Sequence, residues 1–298
     1  MSATVQVRPS LDDLRTLVDR DLDYLLPASN VYPESIHRAM RHSIFAGGKR
    51  LRPILCIESG GLLGAPIGLL ARVGAALEMI HTYSLIHDDL PALDNDDLRR
   101  GKPTCHVVFG EAIAILAGDA LLTLAFRVLS ELQGAPPERL VQIIRELASA
   151  IGTPEGMIAG QVADLEPRRQ PVTPHVLEFI HRAKTGGLLR ASVRSGALAA
   201  NPNGEDLSRL TTYGEKVGLA FQIADDLLDV LGTSAQLGKT AGKDKRQSKA
   251  TYPSLYGIEE SRRIARQLVD EACAALDPFA ARGDPLREIA RLLIERTA

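Results

Sequence analysis

Long stretches of this sequence are apolar on every side of a helix, and this feature constrains the fold more than any other. Between Ala112 and Leu132 the sequence reads AIAILAGDALLTLAFRVLSEL. A helix without a polar face is buried in the centre of a bundle or covered by another subunit. Alternation with period 2 is hard to find, aromatic residues make up 4% and tryptophan is absent, so strands are not indicated. The pattern predicts an all-α protein.

Turn-forming residues divide the chain into helices without marking a domain boundary. Candidate helices begin near Leu11, Pro33 and Ile67, and breakers such as GAPP and NPNG separate later ones. No linker or shift in composition interrupts the chain, and there is no fixed period of the kind that helical repeat proteins show. We predict a single domain over 1–298, with about ten helices or more and with residues 1–10 disordered.

Composition excludes several classes of function. The chain has 298 residues and a formal net charge of −2, which argues against a general binder of nucleic acids or acidic membranes. Cys56, Cys105 and Cys273 form no Cys-x-x-Cys pair and indicate a reducing compartment without a zinc site. The N-terminal stretch lacks the apolar core of a signal peptide. No stretch has the roughly 18 uninterrupted apolar residues of a membrane span. We predict a soluble, cytoplasmic protein.

Two acidic clusters stand on helices that are otherwise apolar. In FQIADDLLDVLG, Asp225 and Asp229 are four residues apart and share one helix face, with Asp226 beside them. Carboxylates are almost never buried unless they are paired or bind metal. The cluster therefore predicts either a metal site or salt bridges to arginines of a neighbouring helix.

The first cluster is HDDLPALDNDDLRRGKPTCH, at 87–106, where Asp88 and Asp89 follow an apolar helix. Taken alone, such an acidic run is typical of a solvated loop. Pro91 disfavours a helical conformation for the residue before it, so the chain can leave the helix and return Asp94 to the side of Asp88. Clustered carboxylates without His or Cys partners suit Mg²⁺, which often bridges to substrate phosphates. Two such clusters together predict more than one Mg²⁺ on a single diphosphate.

Basic side chains suited to phosphate lie in several separate places. Arginine binds phosphate oxygens through its planar fork, and paired glycines allow a close approach of the backbone. The GKTAGKD stretch is not a Walker motif, because the glycine spacing and a preceding strand are missing. The set is Lys49 and Arg52 in GGKRLRP, Arg99 and Arg100 after the first cluster, Lys184 with Thr185 in AKTGG, and Lys239 in LGKTAGKD. There are enough cations for two diphosphates, one held through metal and one by cations alone.

These motifs resemble the trans-isoprenyl diphosphate synthase family, and most closely its bacterial farnesyl diphosphate synthases. The two acidic clusters resemble the two aspartate-rich motifs of the family, and GGKRLRP, KTG, GQVAD and GKTAGKD…SKATYP match its intervening blocks. The resemblance spans 33–256. It implies a single large helical bundle around a central cavity, and a homodimer.

The resemblance also implies roles for individual residues. Asp88 and Asp94, supported by Asp89, would coordinate Mg²⁺; Asp225 would take a third ion, helped through water by Asp226 and Asp229; Mn²⁺ is an alternative metal. Lys49, Arg52, His81 and Arg100 would hold the diphosphate of isopentenyl diphosphate, and Arg99, Lys184, Lys239 and Lys249 that of the allylic substrate. Thr185 and Gln222 would lie near the developing carbocation, with Gln161 and Asp164 in support. A core histidine without a ligand is the alternative for His81.

The expected reaction is head-to-tail condensation of isopentenyl diphosphate with dimethylallyl and geranyl diphosphate to give farnesyl diphosphate. Tyr83 and Ser84 lie one helical turn before Asp88, about 5.4 Å deeper, and an aromatic residue there resembles the farnesyl-type enzymes. A channel floor formed instead by Leu116, Ala117 or Leu121 leaves a geranylgeranyl product as the alternative. A class I terpene cyclase and a non-catalytic synthase subunit are more distant alternatives.

Overall fold

In the part of the chain that the structure describes, the regular elements are helices and one short β-hairpin. A computed structural model describes residues 9–166, 172–231 and 251–295. The α-helices are α1 (Leu11–Leu25), α2 (Glu34–Ile44), α3 (Leu51–Leu62), α4 (Ile67–Asp88), α5 (Cys105–Phe109), α6 (Glu111–Ser130), α7 (Pro137–Ile151), α8 (Met157–Leu165), α9 (Pro174–Ile180), α10 (Gly187–Ala199), α11 (Gly204–Leu231), α12 (Tyr252–Tyr256), α13 (Ile258–Ala275) and α14 (Asp284–Ile294). A π-helical segment (His181–Gly186) precedes α10, and a 3₁₀ segment (Asp277–Gly283) precedes α14. The predicted all-α class is confirmed.

Helix α4 runs through the centre of the bundle. It packs between α3 and α6, while α3 also packs on α10, α10 on α11, and α11 on α13. Buried side chains occur on every side of α4, and even the charged Glu78 is only 2% exposed. The exposed residues of this helix, Ile67, Gly68 and Arg72, all lie in its first two turns, and the apolar composition of the rest follows from its central position.

Close helix contacts depend on glycine at a few positions. A Cβ added to Gly196 on α10 would lie 2.9 Å from the carbonyl carbon of Cys56 on α3, and one added to Gly74 on α4 would lie 3.0 Å from the Cβ of Pro53. These separations are too short for a side chain, so α3 meets both neighbours backbone to backbone. The small residues thus bring the start of α3, which carries the GGKRLRP motif, close to the central helix.

Two features differ from the sequence-based prediction of helices. A two-stranded hairpin pairs β1 (Leu98–Arg99) with β2 (Lys102–Pro103), and its turn residues Arg100 and Gly101 both have positive φ, 53° and 75°. Such a turn needs two left-handed residues, and Arg-Gly is not among its strongest sequence signals. The composition of TPHVLEFIHRAKTGGLLRASVRSGALAA, at 173–200, indicates one helix, and the structure divides it into α9, the π-helical segment and α10.

The disorder predicted for residues 1–10 does not extend to Ser10. Ser10, which we predicted to be disordered, caps α1: its hydroxyl accepts a hydrogen bond from the N–H of Asp13, whose carboxylate accepts one from the N–H of Ser10. This reciprocal capping box satisfies donors that a helix start leaves without partners. The prediction for residues 1–8 lies outside the described residues.

Helix α6 is less enclosed than its composition suggests. It packs against α4, α2 and α7, yet Ile115 and Leu116 are about half exposed, at 45% and 54%. We predicted no membrane span, but by length and composition α6 could cross a membrane, and 44% of its most apolar window is buried. A core or interface helix meets the same criterion, so the finding by itself places the helix in neither environment.

The α3–α10 contact predicts a stability difference between two glycines. Gly196→Ala should lower the melting temperature by several degrees, because the new methyl group meets the backbone of α3 and must push the helices apart. Gly61→Ala is the matched control on α3, since a Cβ there meets nothing within 4 Å. It should leave the melting temperature unchanged or raise it slightly. Equal effects of the two substitutions, measured by circular dichroism on heating, would contradict the close contact.

Candidate active site

The first acidic cluster begins where α4 ends. Beyond Asp88 the chain turns back, and the N–H of Asp94 donates to the carbonyl oxygen of Asp88 over 2.8 Å. The Asp88 carboxylate accepts a hydrogen bond of 2.9 Å from the side-chain amide of Gln161 on α8. Burial raises the pKa of Asp88, and so do the charges of Asp94 and Asp89, while Lys184 opposes the shift. The expected return of Asp94 to the side of Asp88 is therefore observed, and it creates a crowded set of carboxylates.

Asp89 points to a different partner. Its buried carboxylate accepts hydrogen bonds of 2.8 and 2.9 Å from the Nε of Arg99, which β1 brings back toward α4. The resemblance assigns Arg99 to the allylic diphosphate and Asp89 to metal support, and these roles stay predictions. In the structure, Arg99 and Asp89 bind each other. Burial raises the pKa of Asp89, and the bond to Arg99 opposes that shift. The pair holds the hairpin against the end of α4.

The other arginine of the hairpin contacts the GGKRLRP loop. Arg100 donates to the carbonyl oxygen of Gly47, and a Cβ on Gly48 would lie 2.8 Å from the guanidinium carbon of Arg100. Gly47 and Gly48 have φ of 111° and 135°, a region that favours glycine. The paired glycines thus let Arg100 pack directly on the loop backbone.

A cavity of about 760 Å³ lies beside this loop. Its polar lining comes from the loop before α3, from the hairpin and from several helices, and it includes four of the residues assigned to a diphosphate. The lining residues that matter here are Lys49, Arg52, Glu78, His81, Arg100 and Asp225. Leu292 and Leu293 of α14 form part of the apolar wall. The structure therefore brings the cation set assigned to the second diphosphate into one place, next to the second acidic cluster.

The electrostatics of this cavity favour an anion. Burial lowers the pKa of Arg52 to about 10, with Glu78 and Asp225 opposing the shift and Arg100 adding to it. Among the described residues no partner is found for the buried Nε of Arg52. The pKa of His81 is also lowered, by burial and then by nearby arginines, with Arg52 first. A diphosphate would relieve this crowding of positive charge, and an unused guanidinium donor is available to it.

The π-helical segment carries the KTG motif. Lys184 donates to Asp164 on α8 over 2.9 Å, and Thr185 is the next residue along. A Cβ on Gly160 would lie 2.8 Å from the Cα of Lys184, so α8 can approach the segment only with glycine at that position. π-Helical turns inside helices are frequent at functional sites. Gln161 and Asp164, expected to support this region, do contact Asp88 and Lys184.

The second acidic cluster divides its side chains between two surroundings. Asp225 faces the cavity with Arg52, and Gln222, three residues earlier, is partly buried on the same side of α11. Asp229 is partly buried one turn further on. Asp226 is 5% exposed and lies 3.2 Å from the Nε2 of His181, and it accepts a hydrogen bond of 2.9 Å from the N–H of Tyr252. These contacts join α11 to the π-helical segment and to α12, and the water-mediated metal role expected for Asp226 stays a prediction.

Three residues of the site escaped the sequence analysis. They are Arg50, Glu78 and His181, which all form buried ionic or hydrogen-bonded contacts. The sequence could have identified Glu78, because it is a single acidic residue in the apolar stretch ALEMIH. Arg50 stands between two cations that resemble family residues, and nothing in its spacing separates it from them. Lys239 and Lys249 lie outside the described residues.

Tyr83, one of the two residues assigned to product length, lies on the side of α4 where His87 meets α6. Tyr83 is buried, and its ring packs edge-on against His87, with centroids 5.7 Å apart. The His87 ring fits against α6, since its Nε2 lies 3.0 Å from the carbonyl oxygen of Ile115 and a Cβ on Gly118 would meet the ring. Burial raises the pKa of Tyr83 to about 12. The Ser84 hydroxyl donates to the carbonyl oxygen of His81 over 2.8 Å.

The donor set suits Mg²⁺ bound together with a diphosphate better than a metal held by protein alone. Within the described ranges, no group of three His, Cys, Asp or Glu side chains is arranged to enclose a metal ion. Mg²⁺ is usually held by one or two carboxylates together with substrate phosphates and water. Burial and the neighbouring carboxylates disfavour the negative charge of Asp88 and raise its pKa, and a bound cation would oppose both effects.

Comparison with known proteins gives a consistent result. The sequence profile of the family described as polyprenyl synthetase matches residues 33–280. The dimethylallyltranstransferase of Fischerella ambigua is 54% identical over 268 residues, covering 89% of this chain and 77% of that protein. The farnesyl diphosphate synthase of Escherichia coli is 49% identical over 263 residues, covering 86% of this chain and 88% of that protein. The crystal structure of geranylgeranyl pyrophosphate synthetase from Pyrococcus horikoshii superimposes with a TM-score of 0.85 at 30% identity, covering 96% and 97% of the two chains.

The lowered pKa of His81 predicts a pH dependence of stability. Below the ordinary value of 6.5, the unfolded chain binds a proton at this histidine that the folded chain does not. The free energy of unfolding should therefore fall as the pH falls, with a contribution from His81 of up to about 1.4 kcal/mol per pH unit. His81→Asn should remove that contribution. Urea unfolding at a series of pH values checks this; equal slopes in the two proteins would show that folding does not lower the pKa of His81.

Proposed function

The chain belongs to the polyprenyl synthetase family and is a short-chain trans-prenyl diphosphate synthase, and we propose that it makes the C15 product, farnesyl diphosphate. Isopentenyl diphosphate would be joined first to dimethylallyl and then to geranyl diphosphate. The observation that carries the proposal is the pairing of two diphosphate environments on one central helix. One surrounds Asp88 and Lys184, and the other is the cavity with Lys49, Arg52 and His81.

The allylic diphosphate would bind at the Asp88 side. Asp88, Asp94 and Asp225 are the carboxylates that would hold Mg²⁺, and the chemistry it supplies when bound is neutralisation of the leaving diphosphate. Lys184, already within the field of Asp88 and bonded to Asp164, would donate to the same phosphate oxygens. Preorganised charges of this kind stabilise a leaving group without reorganising during the reaction.

Isopentenyl diphosphate would bind in the 760 Å³ cavity through cations alone. Lys49, Arg52 and Arg100 carry the charge. Burial and then the surrounding arginines lower the pKa of His81, so its neutral ring can donate one hydrogen bond without adding repulsion. The lack of a described partner for the Nε of Arg52 supports this assignment. Two distinct diphosphate sites favour condensation over a terpene cyclase, which would need only one.

The bond changes follow from this arrangement. The double bond of isopentenyl diphosphate supplies the electron pair for the new carbon–carbon bond, while the allylic carbon–oxygen bond breaks and its pair leaves with diphosphate. A proton is then lost from the added unit to the departed diphosphate, since no side chain here stands out as a dedicated base. Oxygens of Thr185 and Gln222 would lie along the developing cation, and the apolar bundle would exclude water.

Tyr83 is the residue that we propose stops elongation after the C15 product. It lies about one turn below Asp88, is buried, and is fixed from the far side by His87 and the backbone of α6. A longer chain would have to displace this ring from a tightly packed position. The geranylgeranyl alternative requires the ring to lie outside the path of the growing chain.

A second copy of the chain would cover the exposed apolar residues of α5 and α6. Val107, Val108, Ile115 and Leu116 are each about half exposed and lie within one short stretch. Apolar side chains clustered in this way are typical of protein interfaces. The homodimer expected from the sequence would bury them.

The first experiment is a product assay. Purified protein is incubated with Mg²⁺, isopentenyl diphosphate and each allylic diphosphate in turn. It should form the C15 product from dimethylallyl and geranyl diphosphate and leave farnesyl diphosphate unextended.

Tyr83→Ala should shift the main product to C20 or longer, because one turn of helix equals about one isoprene unit. Chelation by EDTA should abolish turnover and added Mg²⁺ restore it.

Three other outcomes would each contradict part of the proposal. A C20 product from the wild type would remove Tyr83 as the stop. A cyclic hydrocarbon would indicate a terpene cyclase. No condensation at all, with intact Asp88 and Asp225, would favour a non-catalytic subunit.

Oligomeric state gives a separate test. Size-exclusion chromatography with light scattering should give the mass of two 32.1 kDa chains, and Leu116→Glu should yield monomers because it places a charge in the proposed interface. Tyr24→Glu is the control, since that side chain on α1 is 78% exposed and outside the proposed surface. A monomeric wild type would overturn the homodimer.

A further inference from the structure

Arg50 combines a strained backbone with a buried charge. It immediately precedes α3 with φ of 52° and ψ of 36°, in the left-handed region, and the residue is only 3% exposed. This backbone conformation is unfavourable for residues other than glycine and persists only where the surroundings impose it. The arginine therefore occupies a position where the backbone alone would favour glycine.

The side chain of Arg50 supplies the contacts that hold this conformation. Its Nε donates to Asp19 on α1 over 2.7 Å, its Nη1 to Glu78 on α4 over 2.9 Å, and its Nη2 to the carbonyl oxygen of Ile44 at the end of α2 over 2.9 Å. Glu78 is buried as well, so this is an ion pair inside the bundle. One guanidinium thus joins three helices to the residue that begins a fourth.

Arg50 stands between two groups of the proposed isopentenyl diphosphate pocket. Lys49 precedes it directly and Arg52 follows two residues later, and both line the 760 Å³ cavity. All three nitrogens of Arg50 already donate to protein groups, so the residue is not arranged to bind the diphosphate itself. Its partner Glu78 lines the cavity too, and its charge raises the pKa of both Arg52 and Arg100 against the effect of burial.

We propose that Arg50 is a positioning residue for the second diphosphate site, acting by holding its own backbone in the left-handed conformation that sets the directions of Lys49 and Arg52. A chain that relaxed to negative φ at this residue would rotate the preceding segment relative to α3, and the two cations would no longer converge. Glu78 is the fixed anion that anchors the guanidinium. The inference rests on the proposed function, because it takes the cavity to be the isopentenyl diphosphate site.

The test separates the backbone role of Arg50 from the loss of a buried charge. Arg50→Gly and Arg50→Ala are each made together with Glu78→Gln, so that neither protein retains an unpaired buried carboxylate at 78. The two double variants have the same charge and differ by one methyl group. Glycine reaches positive φ freely whereas alanine does not, so only the glycine variant can keep the native backbone without the guanidinium.

The expected readout is a difference between the KM values for the two substrates. Both double variants should have a raised KM for isopentenyl diphosphate, and the glycine variant should have a value lower than the alanine variant by on the order of fivefold. The KM for geranyl diphosphate should match the wild type in both. If Arg50 had a purely structural role, the variants would differ from the wild type in melting temperature and in the amount of active protein. The ratio of the KM for isopentenyl diphosphate to the KM for geranyl diphosphate would then equal the wild-type ratio in each variant.

The Lys49→Ala variant tests separately whether the cavity binds isopentenyl diphosphate, on which the role of Arg50 depends. If Lys49→Ala raises the KM for isopentenyl diphosphate and the glycine and alanine variants are equal, the positioning role of Arg50 is wrong while the pocket stands. If Lys49→Ala leaves that KM unchanged in an active enzyme, the cavity is not the isopentenyl diphosphate site, and the inference falls with it.

Discussion

Burial of α4 beyond its first two turns is the constraint on which the rest of the site depends. Because α3 and α6 enclose this helix, it can neither rotate nor slide without disrupting both contacts. Its residues are therefore at fixed helical intervals, with Glu78 and His81 at the 760 Å³ cavity, Tyr83 on the side of His87 and α6, and Asp88 at the end. The distances between the cavity, Tyr83 and Asp88 are set by one rigid element.

The acidic and basic side chains around this helix are largely matched to one another. Asp89 pairs with Arg99, Asp164 with Lys184, and Glu78 with Arg50. Removing one member of a buried pair leaves an uncompensated charge, which costs much more than the pair contributes. Such pairs fix loop and helix positions before any substrate arrives. The groups that depart from this pattern, the buried Nε of Arg52 and the crowded carboxylate of Asp88, are the ones assigned to diphosphate and metal.

Sequence patterns predicted the class and the main motifs because these depend on local spacing. Helical composition gave the all-α class, Pro91 predicted the return of Asp94, and the two acidic clusters identified α4 and α11. The same reasoning grouped Asp226 with Asp225, because the sequence pattern does not distinguish the surroundings of two adjacent aspartates. Two adjacent helical residues point about 100° apart, and only the packing of α11 shows that the second one faces His181 and Tyr252.

The sequence by itself determined the family, the reaction class and which residue types gather at the site, because each of these depends on short motifs of contiguous residues. Tertiary structure decided which of those residues face one another. Arg50, between two cations of similar appearance, is directed by a left-handed backbone to Asp19 and Glu78, which are 31 and 28 residues away in the chain. The hairpin likewise sends Arg99 to Asp89 and Arg100 to Gly47. Neighbouring side chains diverge in this way because their direction is set by backbone torsion and by contacts distant in sequence, which spacing along a chain does not record.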